Sequence, residues 1–298
     1  TSTRGSQLFY SIIVIKILDN LFSKMPKQRL GFYLLEYQSW ERALIGSWKK
    51  FNHGKIIGVE HTSGYMRYWD LRFYKSIDFY KDSTNQKFMN DFTCINGPKS
   101  KELLISSGFP RNKIIEVEAL RFNYLNKHID KLNPTNFSSN KILLIGDIDY
   151  ISTKKLLKDI KKIYFNLEKD IKIYFRPHPG TPNKQILINF AESFNINISE
   201  KSLISDINYN DKIIIVGGSS VSIEALLMNK TTIIYLNKNK LNLSPVNFIH
   251  KINFVSNSQD LLSSINSKIK NINSKQEFFW LDDNLPKWKI FLDKQLNY

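Results

Sequence analysis

Cysteine is almost absent: Cys94 is the single one in 298 residues. One thiol cannot build an internal disulfide framework or a cysteine-rich metal site, and it fits a reducing compartment. Long apolar runs are missing as well. The best candidate for a membrane span, LFYSIIVIKIL from Leu8 to Leu18, is too short and carries Lys16, with Asp19 just beyond it. No small-residue cleavage site follows, so the segment does not read as a signal peptide. The chain opens on Thr1 rather than methionine, which leaves room for a preceding segment. A cytoplasmic location is the default expectation, with membrane association left open. There is no internal repeat, and no recognisable nucleic-acid reader motif or basic helix with spaced arginines. Nucleic acid is not expected as a partner.

What is present is ordinary globular material with a cationic bias. Hydrophobic residues make up 42% and aromatics 13%, enough for two α/β domains, each with its own core. The formal net charge is +16. It reads as a lysine-rich solvated surface, or as attraction to an anionic membrane face, an acidic glycan or a nucleotide.

A strand–helix rhythm runs through both halves and implies parallel sheets. Residues 7–25 have helical apolar spacing ended near Pro26. A strand at Phe32–Leu35 leads into a helix beginning around Gln38–Ser39, and KIIGVEH is a buried strand with a loop after it. SIDFY and FTCING are short strands. PKSKELLISSGF is a helix with Pro98 in its first turn and Gly108 at its end. KIIEVEAL is the next strand. The polar stretch from Asn126 to Asn140 breaks the rhythm and reads as an interdomain linker. Beyond it come KILLIG, a lysine-rich helix, IKIYF, a helix, a short INIS strand, IIIVGG, a helix and TTIIYL. The tail is helical after Pro286. The expected domains are 1–130, 131–285, and a C-terminal helix at 286–298 crossing back toward the first domain.

Two loops of the second half carry polar groups suited to an anion. After IKIYF comes Arg176-Pro177-His178-Pro179-Gly180. The prolines restrict the backbone around the imidazole, while Arg and His are phosphate donors. After IIIV comes Gly217-Gly218-Ser219-Ser220. Its glycines admit a close ligand, and its serines can cap the helix while donating to an anion. Glu224 lies one turn further on the same face, where a carboxylate can accept ribose hydroxyls or bond a neighbouring loop. Strand-to-helix loops of this kind are where parallel α/β sheets bind ligands, here a nucleotide or nucleotide-sugar.

The pattern R-x-H-P followed by G-x-S-S-x-x-x-E-A-L resembles the donor half of GT-B glycosyltransferases. It is most similar to those with CMP- or CDP-activated donors: polysialyltransferase-like, Kdo-transferase-like and teichoic-acid polymerase-like enzymes. The resemblance implies an α/β GT-B fold, with two Rossmann-like domains facing across a cleft, and His178, Ser219 and Ser220 holding CMP. In the first half, LLEYQSWERAL, GKIIGVEHTSGYMRYWDLRFY and CINGPKSKELLISSGFPRNKIIEVEALRF resemble bacterial surface-carbohydrate biosynthesis proteins. The donors this implies are CMP-activated nonulosonic acids of sialic, legionaminic or pseudaminic type, or Kdo.

An inverting transfer also needs a base. Glu60 and His61 sit where KIIGV runs out, and either can serve; His61 is favoured, with Glu36 or Glu60 as its partner. The acidic-acidic-glycine motif of polysialyltransferase-like enzymes is replaced here by Val59-Glu60-His61-Thr62. Glu36, Trp40 and Glu41 form a second cluster in which Trp40 reads as core. Arg67, Asp70 and Arg72 either grip an acceptor carboxylate or phosphate, or form a structural ion-pair set. Asp147-Ile148-Asp149 is the spacing to exclude as a metal site. The expected activity is an inverting, metal-independent, cofactor-free sialyltransferase-like transfer from a CMP-sugar to a glycan or lipid-linked glycan. A CDP-polyol phosphotransferase and a non-catalytic glycan or nucleotide binder are the alternatives. The segment near residues 8–18 and Phe278-Phe279-Trp280 either dock on the inner membrane face or pack in the core.

Overall fold

The computed structural model describes residues 5–36, 38–62, 81–129, 140–247, 252–267 and 278–296. The chain divides into two compact units, Thr1–Asn123 with Gln276–Tyr298, and Tyr124–Lys275. These boundaries fall several residues before the 130/131 and 285/286 divisions expected from the polar stretch and Pro286.

In the first unit, α1 (Gly5–Lys24) precedes β1 (Leu30–Leu35), α2 (Ser39–Lys50), β2 (Lys55–Glu60), β3 (Phe92–Ile95), α3 (Pro98–Ser106) and β4 (Ile114–Glu116). The strands form one parallel sheet in sequential order, β1-β2-β3-β4. On one side Tyr33 and Leu35 pack with Ile45 and Trp48 of α2 and with Phe22 of α1. Trp40 joins this cluster edge-on to Tyr33. The predicted SIDFY strand lies outside the described residues.

The tail helix belongs to this unit. Trp288 and Phe291 pack against Ile57, Cys94 and Val117. The Glu118 carboxylate accepts from the backbone N–H groups of Lys287 and Trp288, at 2.9 and 3.1 Å, at the helix's N-terminal end. Phe278 and Phe279 are buried, the latter stacked on Phe122 at 4.2 Å. Of the two readings of that aromatic patch, core packing is the one observed.

The second unit continues with β5 (Lys141–Ile145), α4 (Tyr150–Ile163), β6 (Lys172–Arg176), α5 (Lys184–Glu192), β7 (Asn197–Ile198) and α6 (Leu203–Tyr209). Then follow β8 (Lys212–Val216), α7 (Val221–Leu227), β9 (Thr231–Tyr235), β10 (Asn253–Val255), α8 (Ser258–Asn266) and, in the first unit, α9 (Pro286–Leu296). Its six parallel strands run β10-β9-β8-β5-β6-β7. β5, β8 and β9 are almost continuously buried, as expected of strands covered on both faces. The order records a reversal: the chain builds outward from β5 to β7, then returns to lay β8 on the other side of β5. The switch point lies between β5 and β8.

Candidate functional site

In an open parallel sheet the strands that part at the switch point leave a crevice beyond their carboxyl ends. Here the loops at that crevice are Gly146–Asp149 after β5 and Gly217–Ser220 after β8, with Arg176–Gly180 of β6 alongside β5. Both loops singled out by their chemistry therefore sit beside the place that topology selects for a ligand.

Asp147 organises the three loops. Its backbone carbonyl accepts from the Thr181 hydroxyl at 2.7 Å, and its N–H donates to Thr153 Oγ1 at 2.9 Å. Gly217 adopts φ +64°, and a Cβ there would come within 2.7 Å of Asp147 Oδ2. Both facts demand glycine at 217. Asp147 Oδ1 accepts from the Asp149 N–H at 3.2 Å. Asp149 caps α4 through Ser152 N–H and pairs with Lys240 at 2.6 Å. The aspartates of the Asp-Ile-Asp spacing thus shape the loop and start the helix. Among the described residues, no group of three or more His, Cys, Asp or Glu side chains is arranged to hold a metal ion.

The His178 ring is oriented by its own loop. Gly180 N–H donates to Nδ1 at 3.1 Å, which leaves Nε2 as the protonated nitrogen of the neutral ring. Pro179 beside it is exposed. Arg176 is committed elsewhere: Nη1 donates to Asp206 Oδ2 at 2.8 Å and to the Lys201 carbonyl at 2.6 Å. Asp206 is buried on α6 and also accepts from the Ser199 hydroxyl. This pair ties the end of β6 to α6. Replacing Arg176 with alanine is expected to destabilise the second unit by about 2 kcal/mol, since it strands a buried carboxylate whose partner is partly solvated. Urea unfolding checks this; unchanged stability with lost nucleotide affinity would instead make Arg176 a ligand.

In the β8 loop the Ser219 hydroxyl accepts from Val221 N–H at 3.4 Å, whereas Ser220 occupies the N-cap position without a capping bond. Glu224 is buried and accepts from the Tyr124 hydroxyl at 2.7 Å. Thr181 and Tyr124 were not foreseen, and Asp147 was singled out only as part of a metal-type spacing, not as the organiser of the loops. Asp147 is the first polar side chain after KILLIG, but only strand order gives that position its meaning.

In the first unit the register explains a second pairing. Leu35 is the parallel neighbour of Glu60, so the next residues, Glu36 and His61, leave the sheet side by side. Glu36 Oε1 lies 3.1 Å from His61 Nε2. Glu60 points to the opposite face, as strand alternation requires. There its carboxyl is buried and accepts from Asn96 N–H and Ser100 Oγ at 3.2 and 3.0 Å. Burial pushes it up to about 8, against the pull of those two hydrogen bonds. Glu41 is likewise structural: one oxygen accepts from the Glu36 and Gln38 N–H groups at 2.8 and 2.9 Å, closing the turn into α2. The structure brings His61 together with Glu36 and turns Glu60 away from both. Arg67, Asp70 and Arg72 lie outside the described residues.

No protein-family model matches the chain, and no curated protein sequence matches it. Solved structures do. S. aureus MnaA, in a co-structure with UDP, aligns with a TM-score of 0.60 at 14% identity, covering 96% of this chain and 79% of that one. UDP-GlcNAc 2-epimerase from Neisseria meningitidis, bound to UDP-GlcNAc, gives 0.58 at 13% identity over 97% and 81%. Acinetobacter baumannii MurG gives 0.52 at 10% over 97% and 79%. The likeness is one of fold, and the fold is GT-B: an α/β chain of two parallel-sheet units.

Proposed function

We propose that this chain is an inverting glycosyltransferase that takes a sugar from a CMP-activated donor and needs no metal or cofactor. The observation that supports it most is the coincidence of the His178 and Gly217–Ser220 loops with the switch point of the second sheet. On this reading the second unit, Tyr124–Lys275, is the donor domain and the first supplies the base. His178 Nε2–H and the Ser219 and Ser220 hydroxyls donate to phosphate oxygens, and Glu224 accepts from the ribose, where Tyr124 holds it. In the transfer step the acceptor hydroxyl oxygen forms a bond to the anomeric carbon as the bond from that carbon to the phosphate oxygen breaks. The electron pair leaves with CMP, whose added charge those donors stabilise. His61 takes the hydroxyl proton. Glu36, 3.1 Å from Nε2, orients the ring and stabilises the imidazolium that results. The nonulosonate donor and glycan or lipid-linked acceptor rest on the motif resemblance, and a carboxylate-bearing donor suits a chain of net charge +16.

A second reading, a UDP-sugar enzyme on the same loops, is favoured by the UDP and UDP-GlcNAc in the neighbouring structures. The purified chain is given CMP-sialic-type, CMP-Kdo and UDP-GlcNAc donors with glycan acceptors, and nucleotide release is followed. CMP release above background supports the first reading; release from UDP-GlcNAc alone supports the second. His178→Ala is expected to weaken CMP binding about tenfold with the fold intact, the scale of one charge-assisted hydrogen bond. Calorimetry measures it, and unchanged affinity removes His178 from the site.

A further inference from the structure

Helix α1 is apolar on more sides than its packing uses. Its inner line, Val14, Leu18 and Phe22, recurs at four-residue spacing, and Leu18 and Phe22 pack into the core with α2. The opposite side carries Phe9, Ile12, Ile13 and Ile17, exposed by 67, 47, 39 and 60%. A helix apolar all round is ordinarily buried, and a contiguous exposed apolar patch marks an interaction surface.

Charge identifies the occupant. Lys16 and Lys24 project from the same outward side at helical spacing, and both are exposed. The only carboxylate of α1, Asp19, is already paired with Lys50 at 2.5 Å and accepts from Ser47 Oγ at 2.6 Å. Between α1 and α2 runs a groove of about 960 Å³ with Val14, Ile15, Trp40 and Phe88 in its walls and the cations Arg42 and Lys87 among its lining residues. Apolar side chains flanked by the exposed cations Lys16, Lys24, Arg42 and Lys87 match the interface of an anionic bilayer, where acyl chains take the former and phosphates the latter. No helix among the described residues is long and apolar enough to cross a membrane, so α1 would lie in the interface plane. A second copy fits less well, because apposing two such faces brings lysine against lysine.

We propose that the outward face of α1, with the basic rim of the adjoining groove, docks this chain on an anionic phospholipid bilayer. The inference is independent of the nucleotide reading. It is tested by co-sedimentation of the 298-residue chain with vesicles of phosphatidylcholine alone, or mixed in equal parts with phosphatidylglycerol. Binding is expected only to the mixed vesicles and should fall as salt is raised. Phe9→Gln, Ile13→Gln and Ile17→Gln together lie opposite the packed face and should weaken binding at least tenfold, about the loss expected for withdrawing three large apolar side chains. Lys16→Gln with Lys24→Gln should weaken it by about fivefold per lysine. Circular dichroism and unfolding of each variant should match the wild type. Failure of the wild-type chain to bind mixed vesicles overturns the proposal. So does a lipid-free dimer that the triple substitution converts to monomer, which would assign the face to a second copy.

Discussion

Replacing His61 with alanine lowers turnover about a thousandfold while CMP affinity stays within about twofold, the range expected when a general base is removed without disturbing donor contacts. The expectation follows from register. Glu36 and His61 leave adjacent parallel strands one residue beyond the Leu35–Glu60 pair, which sets Oε1 and Nε2 3.1 Å apart. An imidazole beside a carboxylate has its ring oriented and its cationic form stabilised. Glu36→Gln should therefore lose less than His61→Ala, about tenfold to a hundredfold, because the amide oxygen still orients the ring but no longer carries charge. The check is steady-state kinetics beside calorimetric CMP affinity. Near-full activity in His61→Ala, with loss in Glu60→Ala, would transfer the role to Glu60.

Glu60 has a different expected effect, on stability. Its carboxyl is raised from 4.5 to about 8 by burial, with the Asn96 N–H and Ser100 hydroxyl opposing the shift. Between those values the folded chain holds a proton that the unfolded chain has released. The stabilising contribution is therefore complete below 4.5, declines as pH rises, and is lost once pH passes about 8. The decline is about 1.4 kcal/mol per pH unit, on the order of 5 kcal/mol across the window. Glu60→Gln keeps the shape, accepts from Asn96 N–H, and donates to Ser100 Oγ, with nothing to ionise. Its first-unit stability should match the wild type near pH 5 and exceed it by on the order of 4 kcal/mol at pH 9. Urea unfolding at several pH values, following Trp48 and Trp288 in that unit, measures the difference. Parallel pH profiles for the two proteins would show that Glu60 is ionised in the fold.

The strands of the second unit were legible because burial on both faces writes them as continuous apolar runs, such as IIIV and KILLI. Helix ends were legible where chemistry marks them: Pro98 opens α3, and Gly108, at φ +90°, follows its end. The short β10 and the helix after it were not foreseen. With three residues, Asn253–Val255, β10 owes its existence to pairing with β9 rather than to its own pattern. At the site, sequence supplied the loops but not the partners. Arg176 looked like a phosphate ligand until α6 brought Asp206 to it from thirty positions away. The choice between Glu36 and Glu60 beside His61 needed the register of β1 on β2. Helix α1 could be read from spacing, yet its exposure could not, because an all-round apolar helix predicts burial.

On the proposed function, the crevice between β5 and β8 takes a cytidine nucleotide. Calorimetric titration of the purified chain with CMP and, separately, UDP tests it most directly. One CMP site per chain is expected, with UDP binding more weakly. A chain that binds UDP and ignores CMP, or gives no heat with either, contradicts it.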